Sequence, residues 1–271
     1  MDLRTPIPYI LEWAIRSNVS VITLLADSFN SKDIKSRLRF FQLARLLNNK
    51  TVDWVGNHHI NGCLSLKEIG VRSQKIVPWD WPRENITPAD FEPKALNINK
   101  DCFEFVYFGS VSEAKGVGDI IEAIALIRDL GIQVSLQIFG RLYDSFQEKI
   151  SSLNIGDSIH FRGLVPNEKV VYLMRDADIV FVPSRHCYGE GLPSTIYEAL
   201  CARTPIVASV HPMFLNNIED GFSALIFPEK QPQVIAECVQ RLIQNPALYS
   251  KLSQNSYEAW QKLQIPMKWA D

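Results

Sequence analysis

The chain has no paired cysteine motif, no apolar run long enough to span a bilayer, no excess of either charge and no internal repeat. Each absence narrows what it can be. Its five cysteines, Cys63, Cys102, Cys187, Cys201 and Cys238, are odd in number and scattered without a C-x-x-C spacing, so they read as reduced core residues of a cytoplasmic protein. Apolar runs such as residues 19–26 fall far short of the roughly 20 residues that a membrane helix requires. Met1 to Pro6 carries no apolar signal segment, which leaves a soluble protein or one attached to the inner face of a membrane. Twenty-eight Lys and Arg oppose thirty Asp and Glu for a net charge of -2, so there is no basic field to hold nucleic acid.

What the chain does have is rhythm. With 271 residues, 46% of them hydrophobic, it can bury a sizeable core and reads as one large or two ordinary domains. From Phe105 onward short apolar runs alternate with amphipathic stretches, the pattern of an α/β fold with a parallel sheet. Strands are expected at 105–108, 134–139, 159–161, 179–182, 206–208 and 224–226, and helices at 119–129, 167–175, 194–202, 231–244 and 246–263. Ligands of doubly wound sheets bind outside the carboxyl ends of the strands, where Gly109, Gly140, Ser184 and Ser209 fall. Residues 1–90 read as a smaller α/β piece, with strands near 19–25, 52–55 and 75–77. The proline-studded stretch 78–82, with Pro88 and Pro93, reads as the linker to a second domain at 91–271.

The densest chemistry lies in Tyr188-Gly-Glu-Gly-Leu-Pro-Ser-Thr-Ile-Tyr-Glu-Ala199. A glycine on each side of Glu190 lets backbone approach a ligand closely. Pro193-Ser194 starts a helix whose free N–H groups favour an anion, phosphate above all. Glu198 follows one turn inside, placed to accept hydrogen bonds from the hydroxyls of a sugar or ribose. Taken alone, the segment reads equally well with Glu198 complementing the helix dipole and Glu190 a solvated loop charge.

Its neighbours are Gly109-Ser-Val-Ser-Glu-Ala-Lys-Gly116, Phe161-Arg-Gly-Leu-Val-Pro166, Ala177-Asp-Ile-Val-Phe-Val-Pro-Ser184 and Glu198-Ala-Leu-Cys-Ala-Arg-Thr-Pro-Ile-Val-Ala208. In this order, with the E-x7-E spacing of Glu190 and Glu198, the set resembles the retaining glycosyltransferases of family four (group 1), whose fold is the two-Rossmann-domain GT-B type. The resemblance implies a complete carboxyl-terminal domain binding a nucleotide-sugar donor such as a UDP- or GDP-sugar, with a glycan, lipid-linked or small-molecule acceptor and neither cofactor nor metal. It implies that Lys115 holds the diphosphate, that Glu198 contacts the ribose, and that Glu190 lies by the donor sugar as a positioning and charge-stabilising group. Gly109, Ser110, Gly140, Leu164, Arg185, Gly191, Leu192, Ser194 and Thr195 are the further donor-binding positions that it implies. The chemistry agrees, because Lys115 and the N–H groups around Leu192 and Ser194 would stabilise the charge developing on a departing nucleoside diphosphate.

Three other motifs are set aside. Asp176-Ala-Asp178 imitates a manganese-binding D-x-D pair but ends a helix and leads into a strand, where capping or turn formation suits it better. Residues 109–116 lack the Lys-Ser or Lys-Thr of a P-loop. His58-His59 has no metal-ligand spacing and reads as structural, and His211 as a polar contact on the donor rim.

The chain also departs from the family pattern. Ser110 stands where an arginine is common, with Arg185 or Arg141 as replacement cations, and Ala26 stands at or beside the place of a usual active-site histidine. Little precedes the first matching strand, as though roughly the first half of the amino-terminal domain were absent, the mark of a fragment, a mispredicted start, or one component of a split enzyme whose partner chain supplies the rest. The alternative is therefore a donor-binding module or one component of a split enzyme; a sugar-nucleotide epimerase is more remote. Residues 32–50 form a basic amphipathic stretch suited to peripheral membrane contact. The competing expectation packs Leu38, Phe41 and Leu47 on the small sheet with the cations solvated.

Overall fold

In the computed structural model, residues 7–29, 33–82 and 86–269 are described; Met1 to Pro6 and Lys32, which entered the reading above, lie outside them. The chain divides into two compact units. The first comprises Met1–Pro82, Gly189–Leu192 and Ile265–Asp271, the second Arg83–Tyr188 and Pro193–Gln264.

In the first unit the order is α1 (Ile7–Arg16), β1 (Val21–Leu25), α2 (Ile34–Leu47), β2 (Val52–His58), α3 (His59–Glu68) and β3 (Ile76–Trp79). Among the described residues the three strands form one parallel sheet in the order β1-β2-β3. A capping box starts α2: the Asp33 carboxylate accepts from the Ser36 N–H, and the Ser36 hydroxyl from the Asp33 N–H, satisfying donors that a helix start leaves unpaired. Leu25, Phe40, Leu43, Leu47, Val55 and Leu66 form its core. The phase of α2 corrects one expectation: Leu47 is buried, but Phe40 and Leu43 pack beside it while Leu38 and Phe41 face solvent. Alternate residues Ile22 and Leu24 of β1 are 64% and 48% exposed. With Trp54, Trp79, Met267 and Trp269 they line a cavity of about 300 Å³.

The stretch read as linker begins inside this sheet. Trp79 closes β3, and Asp80 is fully buried, its N–H donating to Met267 O and its carbonyl accepting from the Trp269 N–H (3.0 and 2.7 Å). The boundary between the two units, Pro82 to Arg83, falls within the same stretch.

The second unit contains β4 (Phe103–Phe108), α4 (Val117–Asp129), β5 (Val134–Phe139), α5 (Gln147–Ser152), β6 (Ile159–Gly163), α6 (Asn167–Asp176), β7 (Ile179–Val182), α7 (Ser194–Cys201), β8 (Ile206–Ser209), β9 (Ala224–Phe227), α8 (Pro232–Gln244) and α9 (Pro246–Lys262). Its parallel strands run β6-β5-β4-β7-β8-β9 among the described residues. All four residues of β7 and of β8 are buried, as expected of a parallel sheet covered on both faces. Phe105 and Phe181 meet edge to face at the centre (5.6 Å). The Asp176-Ala-Asp178 motif is structural: the Asp178 carboxylate accepts from the Glu104 N–H (2.8 Å) and pairs with Lys100, tying the start of β4 to that of β7.

Candidate active site

The chain runs from β4 outward through β5 to β6, then returns to the other side of β4 with β7. Strand order therefore reverses between β4 and β7, and the loops leaving their carboxyl ends diverge there to leave a crevice. Those loops are 109–116 and 183–193, the two that carry the sequence motifs.

Gly109 and Gly140 end β4 and β5 with φ of +147° and +142°, and a β-carbon on Gly140 would lie 1.7 Å from Gly109 O. Their backbones continue the sheet, Gly109 N–H donating to Phe139 O and Gly140 N–H to Gly163 O. Gly116 (φ +73°) begins α4, and a β-carbon there would meet Pro183 O at 2.1 Å. The two loops thus touch through backbone. Arg185 N–H donates to Ala114 O, Lys115 Nζ lies 4.5 Å from the centre of the Tyr188 ring, and it reaches the Ser184 hydroxyl at 3.4 Å.

At α7, Pro193 takes the capping position and no side chain caps the helix, so the expected Ser194 cap is absent and Ser194 is the first helical residue. Thr195 Oγ1 donates to Phe108 O at 3.3 Å, which sets the start of α7 at the end of β4. Glu198 is half-buried one turn further in. The helix start, Lys115 and Ser110, whose carbonyl accepts from Tyr107 OH, therefore stand at one crevice.

Other expected residues are engaged elsewhere. Arg185 grips Asp119 with two hydrogen bonds (2.6 and 2.9 Å) and meets Glu113 at 2.9 Å. The Asp119 hydrogen bond, the first of its causes, raises its pKa further. Its charge is paired with Asp119 and Glu113 inside the second unit. Arg141 is exposed beside Gly140, and Leu164 is 73% exposed beyond β6, the strand farthest from the crevice on that side. His211 is buried; its Nδ1 accepts from the Met213 N–H, which leaves Nε2–H to donate to Tyr188 O (3.1 Å). It anchors the loop.

Glu190 and its flanking glycines, with Leu192, pack with the first unit. A β-carbon on Gly189 would come within 2.9 Å of Asp27 Oδ1, and one on Gly191 within 2.5 Å of His58 Nδ1. Glu190 Oε1 is out of reach of solvent. His58 is buried and bound through Nε2 to the fully buried Asp80 (3.0 Å). This pair was not foreseen as a unit; its only signal was a polar residue closing each of two apolar strands. No group of three or more His, Cys, Asp or Glu side chains that could hold a metal occurs among the described residues.

A parallel doubly wound sheet with its loops diverging at a switch point defines a Rossmann-like class of domain. Residues 88–259, more than half of the chain, match the family described as Glycosyl transferases group 1, and the chain belongs to it. Among curated proteins it is 26% identical over 185 residues to the amylovoran biosynthesis glycosyltransferase AmsK of Erwinia amylovora, covering 64% of this chain and 46% of that one. It is also 26% identical over 153 residues to the alpha-D-kanosaminyltransferase of Streptomyces kanamyceticus, covering 56% and 39%. The chain thus spans less than half the length of these relatives. Among solved structures, Anabaena HepE in complex with UDP aligns over 97% of this chain and 73% of its own with a TM-score of 0.76 and 17% identity. Sucrose-phosphate synthase from Thermosynechococcus elongatus aligns over 94% and 67% with 0.73 and 19%. The fold is of the GT-B type.

Proposed function

We propose that this chain carries the donor site of a family-four, retaining glycosyltransferase that moves a sugar from a nucleoside diphosphate to a glycan, lipid-linked or small-molecule acceptor. The observation that carries the reading is that the loop of Lys115 and the start of α7, one turn before Glu198, both lie at the carboxyl ends of β4 and β7, where the strand order reverses. Lys115 and the first N–H groups of α7 present positive potential where a diphosphate would gain charge as the glycosidic bond breaks, a stabilisation that needs no reorganisation at the moment of reaction. Glu198 accepts the ribose hydroxyls, and Glu190 holds the donor sugar and balances charge at its anomeric centre. Attack from the face that the diphosphate leaves, with its oxygen taking the acceptor's proton, retains configuration. Lysine and helix start supply the countercharge, so the reading uses neither cofactor nor metal.

UDP and UDP-glucose occupy solved HepE structures, which supports a uridine donor. The amylovoran biosynthesis in the name of AmsK supports a glycan acceptor, and the exposed basic side of α2 supports peripheral contact with the inner face of a membrane. No described helix is long and apolar enough to cross one.

Titration with UDP- and GDP-sugars, followed by assays of transfer and donor hydrolysis, tests the proposal. Lys115→Ala and Glu198→Ala are each expected to weaken nucleotide binding about tenfold or more, the loss typical of a charge-assisted hydrogen bond. Glu190→Gln is expected to lower turnover with binding retained. Undiminished nucleotide affinity in both Lys115→Ala and Glu198→Ala would remove the donor-site assignment. A second reading, a donor-binding module or one half of a split enzyme completed by a partner chain, is favoured by the apolar face that Ile22, Leu24 and Trp54 leave uncovered on a parallel sheet. Tight donor binding without transfer or hydrolysis would select it.

A further inference from the structure

Strands β2 and β3 end in polar residues that water hardly reaches, Asn57-His58 and Asp80, and half-buried Asp27 follows β1. Asn57 is fully buried and uses all of its hydrogen-bonding capacity. Its carbonyl oxygen accepts from the N–H groups of Asp27 (3.3 Å) and His58 (2.9 Å), and its amide donates to Asp27 O (2.9 Å) and Gly62 O (2.8 Å). Asp80 accepts the Trp81 N–H (2.8 Å) and His58 Nε2 on one oxygen, and the other lies 3.7 Å from Lys268 Nζ. The His58 ring also leans on Trp79, with ring centres 5.2 Å apart. Four hydrogen bonds hold the Asn57 amide, and the Asp80 contact together with the Trp79 ring holds the ring of His58, which fixes these buried side chains in place.

The same network meets the loop that carries Glu190. With Nε2 turned to Asp80, His58 directs Nδ1 at the α-carbon of Gly191, and Asp27 directs Oδ1 at Gly189. Neither glycine has φ in the left-handed region, so space rather than backbone freedom demands glycine there. Gly191 rests on the buried His58 ring, and Gly189 on the carboxylate of Asp27, whose backbone Asn57 holds at the sheet end.

We propose that His58, oriented by Asp80, is a positioning residue that seats the 189–192 loop and thereby fixes Glu190. The catalytic consequence rests on the donor-site reading above; the seating does not. His58→Ala opens the space beneath Gly191 and releases the loop, and Gly191→Ala pushes the loop off an intact His58. The two changes break one contact, so together they do no more than either alone.

Amide hydrogen exchange on the full chain, followed in a peptide spanning 186–193, tests the seat. His58→Ala and Gly191→Ala should each speed exchange there about tenfold, and the double variant no further. His58→Gln, which keeps a donor for Asp80 and most of the volume, should retain most of the protection and guards against a His58→Ala protein that fails to fold. Unchanged loop exchange in His58→Ala, or additive effects in the double variant, would overturn the proposal. So would equal acceleration across β1, β2 and β3, since His58 would then be holding up the sheet instead of the loop. In turnover assays His58→Ala should lower kcat with donor affinity retained. If no nucleotide binds the parent protein, the donor reading falls while the exchange result still decides the seat.

Discussion

Gly140 shows what single positions contribute to the crevice. Its φ of +142° and the 1.7 Å approach of a would-be β-carbon to Gly109 O combine conformational strain with a backbone clash that no side-chain rotation relieves. Gly140→Ala is expected to cost roughly 4–5 kcal/mol, in the diagnostic tail of point mutations. Gly131→Ala is the control: φ is +79° but no atom lies within 4 Å of the added carbon, so only the left-handed conformation is penalised, by about 1–2 kcal/mol. Urea unfolding of the two variants checks this, and equal losses would mean that the β4 and β5 ends part more easily than their packing indicates. Glycines on the rim were legible in the chain as sites of close approach. What they approach was not: Gly109 and Gly140 approach each other, Gly116 approaches Pro183, and the pair around Glu190 approaches Asp27 and His58. Arg185 illustrates the same limit, since its rim position was readable but its partner Asp119, 66 residues away, was not.

At the level of elements, strands and helices of the second unit stand close to where periodicity placed them, because runs such as 134–139 and 179–182 are apolar for the plain reason that both faces are covered. The first unit was harder to read. Its open sheet face leaves Ile22, Leu24 and Trp54 exposed, so apolar residues there do not report burial, and α2 has two apolar stripes that composition alone does not rank. The structure ranks them: Phe40, Leu43, Ala44 and Leu47 turn inward, leaving Ile34, Leu38 and Phe41 outside among Lys35, Arg37, Arg39 and Arg45, with no acidic residue in the helix. A helix with this outer face would lie in an anionic membrane surface, its cations contributing about 1 kcal/mol each near the lipid headgroups. Cosedimentation with vesicles rich in anionic lipid should fall on Leu38→Ser/Phe41→Ser substitution and at high salt. Binding indifferent to salt and to lipid charge would instead mark the stripe as a polypeptide contact.

Across the whole molecule, buried titratable groups set how stability changes with pH. Burial draws the Lys94 ammonium down to about 8 from 10.5, against the opposing pull of Asp178, although Nζ donates to the carbonyls of Arg175 and Ala177. Between those values the unfolded chain binds more protons than the folded one, so this group makes stability rise with pH through that window and leaves it level below. The thiols act in the opposite sense. Burial raises Cys63 and Cys238 to about 11 and Cys201 to about 12 from 9.0, so above pH 9 the folded chain holds the extra protons and stability falls. Each group changes stability by at most about 1.4 kcal/mol per pH unit, and three thiols outweigh one lysine once they begin to titrate. Stability is therefore expected to climb modestly between pH 8 and 9 and to decline more steeply towards 11. Lys94→Met should remove most of the climb and leave the decline, whereas Cys63→Ala, Cys201→Ala and Cys238→Ala combined should extend the climb to about pH 10, above which the Tyr249 hydroxyl, raised by burial, opposes it. Equilibrium unfolding of the parent and variants across this range decides it; a parent profile falling steadily from pH 8 would show that Lys94 stays solvated enough to keep its ordinary charge.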